Sequence, residues 1–595
     1  MMRKIIFSMA IAATAITSTQ AQYGQRLYSR DTVSHDRFTD GLNSVANPVG
    51  GLAPYVGTGV TQGNNIVERS RFVRTARAGA TLANRVNFVF RGGNEHSHRL
   101  NSICEAAGRY VMAGRVTGTT VSPVPGGGDV LFVRTSAAGI INSVRTVDLS
   151  NGNDGANCII QSTTNANRLY SCGFSELNGI SRTFVMATNT TGSTVNWSRT
   201  YGVSCVFGAL VGNSVANSIA EDAGTGSVYA VGNLTGQNCN NAFISRFTAA
   251  GVHVWTQIFQ LPNNGLQFTS IKPHPTIANS FIISGNCLNF GLGNVTSWPL
   301  ILGINVAGAA PAIVFQNCLV AALPAPFPVN GQITGMMAND LTSRLNPFNG
   351  NIEYFLAGTA VLQNGSTEGF TIKTTGVGIP ISGQVYGNVA TDGFNSIDRV
   401  GNGMMAGDGL VQFGYYNTNL PNVVPPGNTR CWLVKSYYNH VSGCNEKPIV
   451  VTSQIVNLLQ GPFNPIINNV NLRDSMVAQQ ANGLAKTLCW ANVIGTGSNM
   501  REPETNSISI SNDIKLYPNP VDGDAILTLQ VRSDKNNTAV ITIMDIKGAV
   551  IDQNIIDVSE GINETTIDHS QWQRGMYFVQ VQLNDQSYRT KITKN

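Results

Sequence analysis

Asn217-Ser218-Ile219, a short polar turn, and then Val228-Tyr229-Ala230-Val231-Gly232 form the stretch whose reading decides the fold. The same succession recurs along the chain. Asn101-Ser102-Ile103 leads to Tyr110-Val111-Met112-Ala113-Gly114, and Asn157-Cys158-Ile159 leads to Leu169-Tyr170-Ser171-Cys172-Gly173. Asn43-Ser44-Val45, Thr269-Ser270-Ile271, Asn395-Ser396-Ile397 and the stretch around Ile333 read as further copies. Counted at the aliphatic position, the starts fall at 45, 103, 159, 219, 271, 333 and 397. A fixed spacing of this size marks a repeat architecture.

Each copy continues in the same way. A Gly/Asn-rich loop precedes a third apolar run, as in Asp129-Val130-Leu131-Phe132-Val133-Arg134-Thr135. A fourth run follows a glycine turn and ends on tryptophan, giving Val195-Asn196-Trp197 and Val252-His253-Val254-Trp255. Phe72-Val73-Arg74-Thr75-Ala76-Arg77-Ala78-Gly79 closely repeats Phe132-Val133-Arg134-Thr135-Ser136-Ala137-Ala138-Gly139. Four short strands separated by glycine turns make a meander. Such a unit cannot bury both faces alone, and radial packing into a closed ring protects its edges. The predicted fold is therefore all-β, a β-propeller of about seven blades, with two stacked β-sandwiches as the architectural alternative. The period and the Gly-x-Trp ending resemble the bacterial SBBP-like propeller repeats over roughly residues 40–445. Residues 22–39 read as an N-terminal segment and 40–500 as the propeller. Within it, 446–500 depart from the repeat as closing strands or irregular chain, and 501–512 form a linker.

Composition agrees with this reading. Asp, Glu, Lys and Arg make up 12% of the 595 residues, about half the ordinary share, and there are 62 glycines. The net charge of +5 is spread too thinly to form a basic stripe, which argues against nucleic acid as a partner. Arg3 and Lys4, an apolar run from Ile5 to Ile16, and Thr19-Gln20-Ala21 form a secretory signal over residues 1–21. Cleavage is expected between Ala21 and Gln22. Residues 273–339 carry no Asp, Glu, Lys or Arg, but Asn305, Pro311, Gln316 and Asn317 interrupt the apolar run and point to sheet core.

Ten cysteines in an exported chain are read first as disulfides. Local spacing suggests Cys158–Cys172, Cys205–Cys239, Cys287–Cys318 and Cys431–Cys444, leaving Cys104 with Cys489. No pair has zinc-knuckle spacing.

The character of the chain changes near Asp513. Residues 513–595 hold 11 acidic and 8 basic residues in 83, against 52 charged residues in the preceding 512. Strands here alternate, as in Ala539-Val540-Ile541-Thr542-Ile543-Met544-Asp545, and predict a small Ig-like antiparallel β-sandwich. Leu516-Tyr517-Pro518-Asn519-Pro520, Gly575-Met576-Tyr577 and Thr590-Lys591-Ile592-Thr593-Lys594 resemble the type A C-terminal sorting domain of the type IX secretion system. The resemblance assigns the sorting motif to Tyr517, Pro518, Asn519, Pro520, Gly575, Tyr577, Lys591 and Lys594. It implies the type IX machinery and its sortase-like peptidase as partners, and surface lipopolysaccharide as an anchor. It also implies a destination outside a Gram-negative cell, secreted or on the outer surface, reached through the periplasm.

Catalytic signatures are scarce. There is no G-x-S-x-G, H-E-x-x-H or P-loop, so no catalytic residue, metal ligand or cofactor is assigned. Glu95, His96 and His98 read as a loop, and Gly401, Gly403 and Gly407 as a turn. Asn151-Gly152-Asn153-Asp154-Gly155 begins like a calcium loop, but Ser162 stands where its closing acid belongs. Asp222, Glu353, Glu368 and Asp408 carry no local signature. Tyr386 and Phe413 belong to an aromatic group in the last repeats. Within that group Tyr415, Tyr416, Trp432, Tyr437 and Tyr438 are candidate platforms for stacking on sugar rings. Asp31-Thr32-Val33 and Asp474-Ser475-Met476 resemble a bacterial O-glycosylation motif. The function expected is a non-enzymatic binding, adhesion or structural surface protein with an extracellular glycan or protein ligand. The alternative is an extracellular hydrolase of polysaccharide, which would need two carboxylates to converge near the ring axis.

Overall fold

A computed structural model describes residues 22–29, 35–44, 55–62, 68–75, 81–90, 97–117, 127–150, 152–192, 194–203, 213–236, 239–289, 297–323, 332–387, 391–401, 408–417, 429–442, 446–463, 467–468, 478–482, 484–492, 514–517, 521, 527–533, 536–545, 550–570, 572–583 and 586–594. The chain divides into two units, Met1–Arg501 and Glu502–Asn595. All regular structure among the described residues is strand. No helix among them is long and apolar enough to cross a membrane.

In the first unit, β1 (Gln22–Ser29) precedes a series of antiparallel meanders. The first comprises β2 (His35–Asn43), β3 (Tyr55–Gln62), β4 (Glu68–Thr75) and β5 (Thr81–Phe90). The second comprises β6 (His98–Ala106), β7 (Arg109–Thr117), β8 (Gly128–Thr135) and β9 (Ile141–Val147). β10 (Asn153–Gln161), β11 (Arg168–Leu177), β12 (Ile180–Asn189) and β13 (Val195–Tyr201) form the third. The fourth is β14 (Asn213–Glu221), β15 (Val228–Gly236), β16 (Cys239–Phe247) and β17 (His253–Gln260). The fifth is β18 (Gly265–Pro273), β19 (Ser280–Leu288), β20 (Ser297–Asn305) and β21 (Ala312–Ala322), which places the uncharged stretch in sheet core. β22 (Ile333–Leu345), β23 (Ile352–Leu362), β24 (Thr367–Thr375) and β25 (Pro380–Tyr386) make the sixth. The last meander, β26 (Gly393–Val400), β27 (Gly409–Asn417) and β28 (Thr429–Ser436), takes β1 as its fourth strand.

The first strands of these meanders neighbour one another in the cycle β2, β6, β10, β14, β18, β22, β26 and back to β2. The units are thus arranged as a closed ring, with hydrophobic clusters packed between successive sheets.

One local device recurs in every meander. The first strand carries a register shift, at Phe38/Asp40, Leu100/Ser102, Ala156/Cys158, Ala216/Ser218, Phe268/Ser270, Ala338/Asp340 and Phe394/Ser396. A bulge pushes a carbonyl out of the ladder toward the second strand. A glycine receives it there: a Cβ on Gly114 would lie 2.0 Å from the Arg99 carbonyl oxygen, and on Gly232 2.0 Å from that of Val215. Gly59, Gly173, Gly285, Gly358 and Gly414 hold the equivalent place. The glycine that ends each quoted second-strand motif is therefore fixed by this close approach and not by a turn.

The structure also resets the repeat register at two copies. The first bulge falls at Thr39-Asp40-Gly41, four residues before the expected Asn43-Ser44-Val45. The sixth falls at Asn339-Asp340-Leu341, well after Ile333. In both copies Asp stands where the others carry Ser or Cys, so the motif was hidden. β22 also has a second register shift at Ile333/Gly335 that lengthens it beyond its counterparts.

Beyond the last meander, five strands add a further row to the ring: β29 (Glu446–Ile455), β30 (Leu459–Phe463), β31 (Ile467–Asn468), β32 (Ala478–Asn482) and β33 (Leu484–Asn492). β29 pairs with β25 and then, unbroken, with β21. β30 pairs with β17, β31 with β13, β32 with β5, and β33 with β1. The segment therefore runs backward around the ring as a belt on the outer edges.

Among the cysteines, Cys104, Cys158, Cys172, Cys287, Cys318 and Cys431 are thiols. Cys158 and Cys172 lie directly opposite each other across β10 and β11. Cys287 and Cys318 sit on β19 and β21, with β20 between them. Their thiols nevertheless lie within hydrogen-bond reach of each other. Cys104 lies on β6 and Cys489 on β33, and the Cys489 side chain falls outside the described residues. Cys205, Cys444 and the Cys239 side chain fall outside the described residues.

The second unit contains β34 (Ile514–Tyr517), β35 (Leu527–Ser533), β36 (Asn537–Asp545), β37 (Val550–Val558), β38 (Gly561–Ile567), β39 (Gly575–Leu583) and β40 (Gln586–Lys594). They form a three-stranded sheet, β34-β35-β38, and a four-stranded sheet, β37-β36-β39-β40. The two share one core that includes Leu527, Leu529, Val531, Ile541, Ile543, Trp572, Val579, Val581 and Ile592. Alternation along β35, β36 and β39 supplies the inward faces.

Candidate functional site

The bulge residues build the centre of the ring. Asn101 donates through Nδ2 to the Ala156 carbonyl at 2.7 Å, Asn157 to Ala216 at 2.9 Å, and Asn217 to Phe268 at 2.7 Å. Asn339 donates to Phe394 at 2.7 Å, Asn395 to Phe38, and Thr39 through Oγ1 to Leu100. At the fifth copy Thr269 turns to Ser284, and Asn286 of β19 reaches Ala338 with both its amide atoms. Six of the seven bulge residues thus tie their strand to the next bulge, Asn286 supplies the seventh link, and the chain of bonds closes on itself. The Asn of the repeated motif is a fastener between neighbouring sheets.

The following position carries the chemistry. Asp40 Oδ1 accepts from Gly41 N and Ser396 Oγ, both at 2.8 Å; its Oδ2 accepts from Ser102 Oγ at 2.8 Å and Ile103 N at 2.9 Å. Asp340 Oδ1 accepts from Ser270 Oγ at 2.7 Å and faces Lys272 Nζ at 3.5 Å. Its Oδ2 meets Ser396 Oγ at 3.1 Å and Ile397 N at 3.2 Å. Ser396 has one hydroxyl proton and lies within reach of both carboxylates, so it donates to one of them at a time. Burial, reinforced by Asp340, raises the Asp40 pKa. Asp340 in turn raises that of Lys272, against the effect of burial. Asp398 completes the group, accepting from Asn43 N and Arg399 N at 2.7 Å each, and burial raises its pKa.

Two carboxylates do converge here, as the hydrolase alternative requires. Each oxygen already accepts two contacts from hydroxyl, backbone amide or ammonium groups. A glycosidase acid or base needs a free edge toward substrate. The arrangement instead joins the first, second, fifth, sixth and last inner strands. Neither Asp was singled out in the sequence, because each replaces the small polar residue that made the motif recognisable.

The carboxylates that were named lie elsewhere and are each engaged. Glu353 accepts from Arg344 at 2.6 Å, from Lys373 at 2.8 Å and from Asn346 at 2.9 Å, and Glu368 pairs with Lys447 at 2.9 Å. Asp222 caps its own turn through Gly224 N and Thr225 Oγ1. Asp408 faces Gly401. His98 is buried and bonds Ser70 through Nδ1; Glu95 and His96 lie outside the described residues.

Asp129, Asp148 and Asp154 are the described residues that could hold a metal ion, with one ligand oxygen each, all within 4.8 Å of one another. Hard oxygen donors of this kind suit calcium or magnesium. Asp154 is already used as a cap, accepting from Leu149 N at 2.7 Å and Ser150 Oγ at 2.8 Å. Burial pushes its pKa up to about 6. Asp154 of the calcium-like sequence thus closes the turn at Leu149 and Ser150.

The aromatics meet in the last meander, mostly as core. Trp432 stacks on Phe394 with ring centres 4.6 Å apart, and Tyr416 meets it edge-on at 5.3 Å. Tyr438 lies under the Arg344 guanidinium at 3.8 Å and donates to the Gly401 carbonyl at 2.8 Å. Tyr415 and Tyr437 are half-buried.

Behind Tyr438 lies His440, fully buried, with neither ring nitrogen hydrogen-bonded. Burial first, and then Lys373, lowers its pKa to about 3. Its stabilising neutral form is present above the ordinary histidine pKa of about 6.5 and is lost as pH falls toward 3. Stability should drop by about 1.4 kcal/mol per pH unit across that window. Asp154 has the opposite sign, its raised pKa favouring the folded state below about 6. His440→Asn suits the backbone at φ +69°. Denaturant midpoints at pH 7 and 5 should show the variant losing less stability than the parent; equal losses would refute the assignment.

In the second unit, Tyr517 donates to Glu564 at 2.7 Å, Tyr577 to the Gln573 carbonyl at 2.7 Å, and Lys594 to the His569 carbonyl at 2.7 Å. Gly575 opens β39, and Lys591 projects exposed from β40 opposite Phe578. In the first unit Gln22 opens β1 opposite Asn492. Ala21, Pro518, Asn519, Pro520 and both O-glycosylation-like triplets fall outside the described residues.

Residues 515–595 match the family described as the secretion system C-terminal sorting domain. A type IX sorting domain is therefore present at the C-terminal end of this chain, and it supports secretion by that system. No curated protein matches the chain. Among solved structures, Sqt1 from Chaetomium thermophilum is similar at 12% identity over 72% of this chain and 100% of that one, with TM-score 0.33. A subtype N11 neuraminidase-like protein of an H18N11 isolate from a flat-faced bat shares 10% identity over 61% and 96%, with TM-score 0.30. The Bombyx mori GH32 beta-fructofuranosidase shares 7% over 72% and 93%, with TM-score 0.26. At these levels the likenesses carry no argument about activity.

Proposed function

We propose that the mature chain is a seven-bladed β-propeller displayed or released outside the cell, whose work is non-enzymatic binding of a neutral glycan. The sorting domain supplies the route, and the signal over residues 1–21 supplies entry to the periplasm. The observation that carries the binding reading is one end of the ring. Strands alternate in direction, so the first-to-second and third-to-fourth turns of every meander lie at the same end. At that end the turn tips hold Phe348, 81% exposed, together with exposed Val252, Ile140, Ile277, Val377 and Ile379. Among the described residues of these turns Asp222 and Asp408 are the charged side chains; Asp222 is spent on its own turn, and Asp408 is buried against Gly401. Apolar tips among uncharged Asn, Thr and Gly suit sugar rings, which offer apolar faces and neutral hydroxyls.

A glycan array probed with the mature chain should give binding that Phe348→Ala and Val252→Ser weaken. Silence across glycans, with capture of a host matrix protein instead, would replace the ligand class. Release of reducing sugar from polysaccharide would favour the hydrolase.

A further inference from the structure

The belt of β29 to β33 adds a strand to sheets whose meanders are already four-stranded without it. Its hold is unequal to its length. Along β29 only Ile449 is buried among ten side chains, while Val450 and Ile455 are exposed, Ile455 by 81%. Leu459, at the start of β30, is also exposed. Val456 and Leu458 plug the crossing between the two strands, and Lys447 clasps buried Glu368. Half-buried Val451 packs against the core and Thr452 Oγ1 reaches the Val320 carbonyl, and the remaining described hold of β29 is mainly backbone ladder. Segments with few buried apolar contacts occupy the low end of local stability and open before the core does.

What the belt covers is specific. The fourth strands β5, β13, β17, β21 and β25 would otherwise present unpaired N–H and C=O groups, the usual template for pairing with another chain. We propose that the belt is a strap that opens ahead of the ring, and that an opened ring takes up the belt of a second copy of this chain. The occupant follows from complementarity. Every edge already has, in the belt sequence, a strand whose register fits it, and exchange of an identical element is a low-cost route to a dimer. Opening at one belt strand need not disturb the fasteners near the axis, which lie within β2, β6, β10, β14, β18, β19, β22 and β26.

Hydrogen exchange on the full mature chain should show the amides of β29 and β30 exchanging roughly 100-fold faster than those of β19 and β23. Equal protection would overturn the strap. The exchange between copies is read separately. Mild urea followed by dilution at high protein concentration should yield a dimer by light scattering. A double variant, Ala321→Cys with Val451→Cys, staples the belt to its own ring, because these residues are opposite partners on β21 and β29. Oxidised, it should stay monomeric under the same treatment, and reduction should restore the dimer. A parent chain that stays monomeric, or a stapled one that dimerises equally, would overturn belt exchange.

Discussion

Without residues 513–595 the protein stops in the periplasm, folded. The two halves of that expectation rest on different observations. The folded half rests on connectivity: the strand pairings of the ring and its belt lie within residues 22–492. The second unit has its own core of Leu527, Val531, Ile541, Trp572 and Val579. The address half rests on the sorting-domain match over 515–595. Cell fractionation should therefore move the truncated chain from the outer surface or medium to the periplasmic fraction, with protease resistance of the ring retained. Normal display of the truncated chain would remove the export assignment. Appearance as degraded fragments would instead mean that the second unit supports the first.

The sequence made the repeating meander legible because its strongest marks have one physical cause. Asn101, Asn157, Asn217 and Asn395 fasten neighbouring sheets, and Gly114, Gly173 and Gly232 make room for the bulge carbonyl. Both requirements are strict, so both residues recur. Where a different residue met the same requirement, the reading slipped. Thr39 replaces Asn with a hydroxyl and Asp40 replaces Ser with a carboxylate, so the sequence pattern points to Asn43-Ser44-Val45 four residues later. Asn339-Asp340-Leu341 was missed for the same reason, and with it the centre of the ring. The belt was illegible for another cause. Its longest strand, β29, buries one side chain fully, and a strand that buries few side chains leaves little alternation in its sequence. The aromatics misled in the opposite direction, since a cluster such as Trp432, Tyr416 and Tyr438 looks the same in sequence whether it faces a ligand or fills a wall.

The largest stability effect should come from Asp340. Its two oxygens receive Ser270, Lys272, Ser396 and the Ile397 amide, and so join β18, β22 and β26 at the axis. Asp340→Ala leaves Ser270 Oγ and the Ile397 amide without their acceptor in a buried site, whereas Ser396 keeps Asp40 and the Lys272 side chain, 44% exposed, keeps water. Each buried donor left without an acceptor costs about 1–3 kcal/mol, and an ion pair to a lysine this exposed adds about 1 kcal/mol or less. Asp340→Asn keeps an acceptor for Ser270 or Ile397 but loses the charge facing Lys272, so its cost should be smaller and should depend on that lysine. Lys272→Met paired with Asp340→Asn should therefore lose less stability than the two singles together, the deficit being their coupling. Urea unfolding of the four chains checks the cycle. Strict additivity would mean that Lys272 is held by Asp40 and Asp398 as much as by Asp340. A mild Asp340→Ala would mean that the ring closes through its Asn and Thr fasteners alone, with the carboxylates at its centre free for another use.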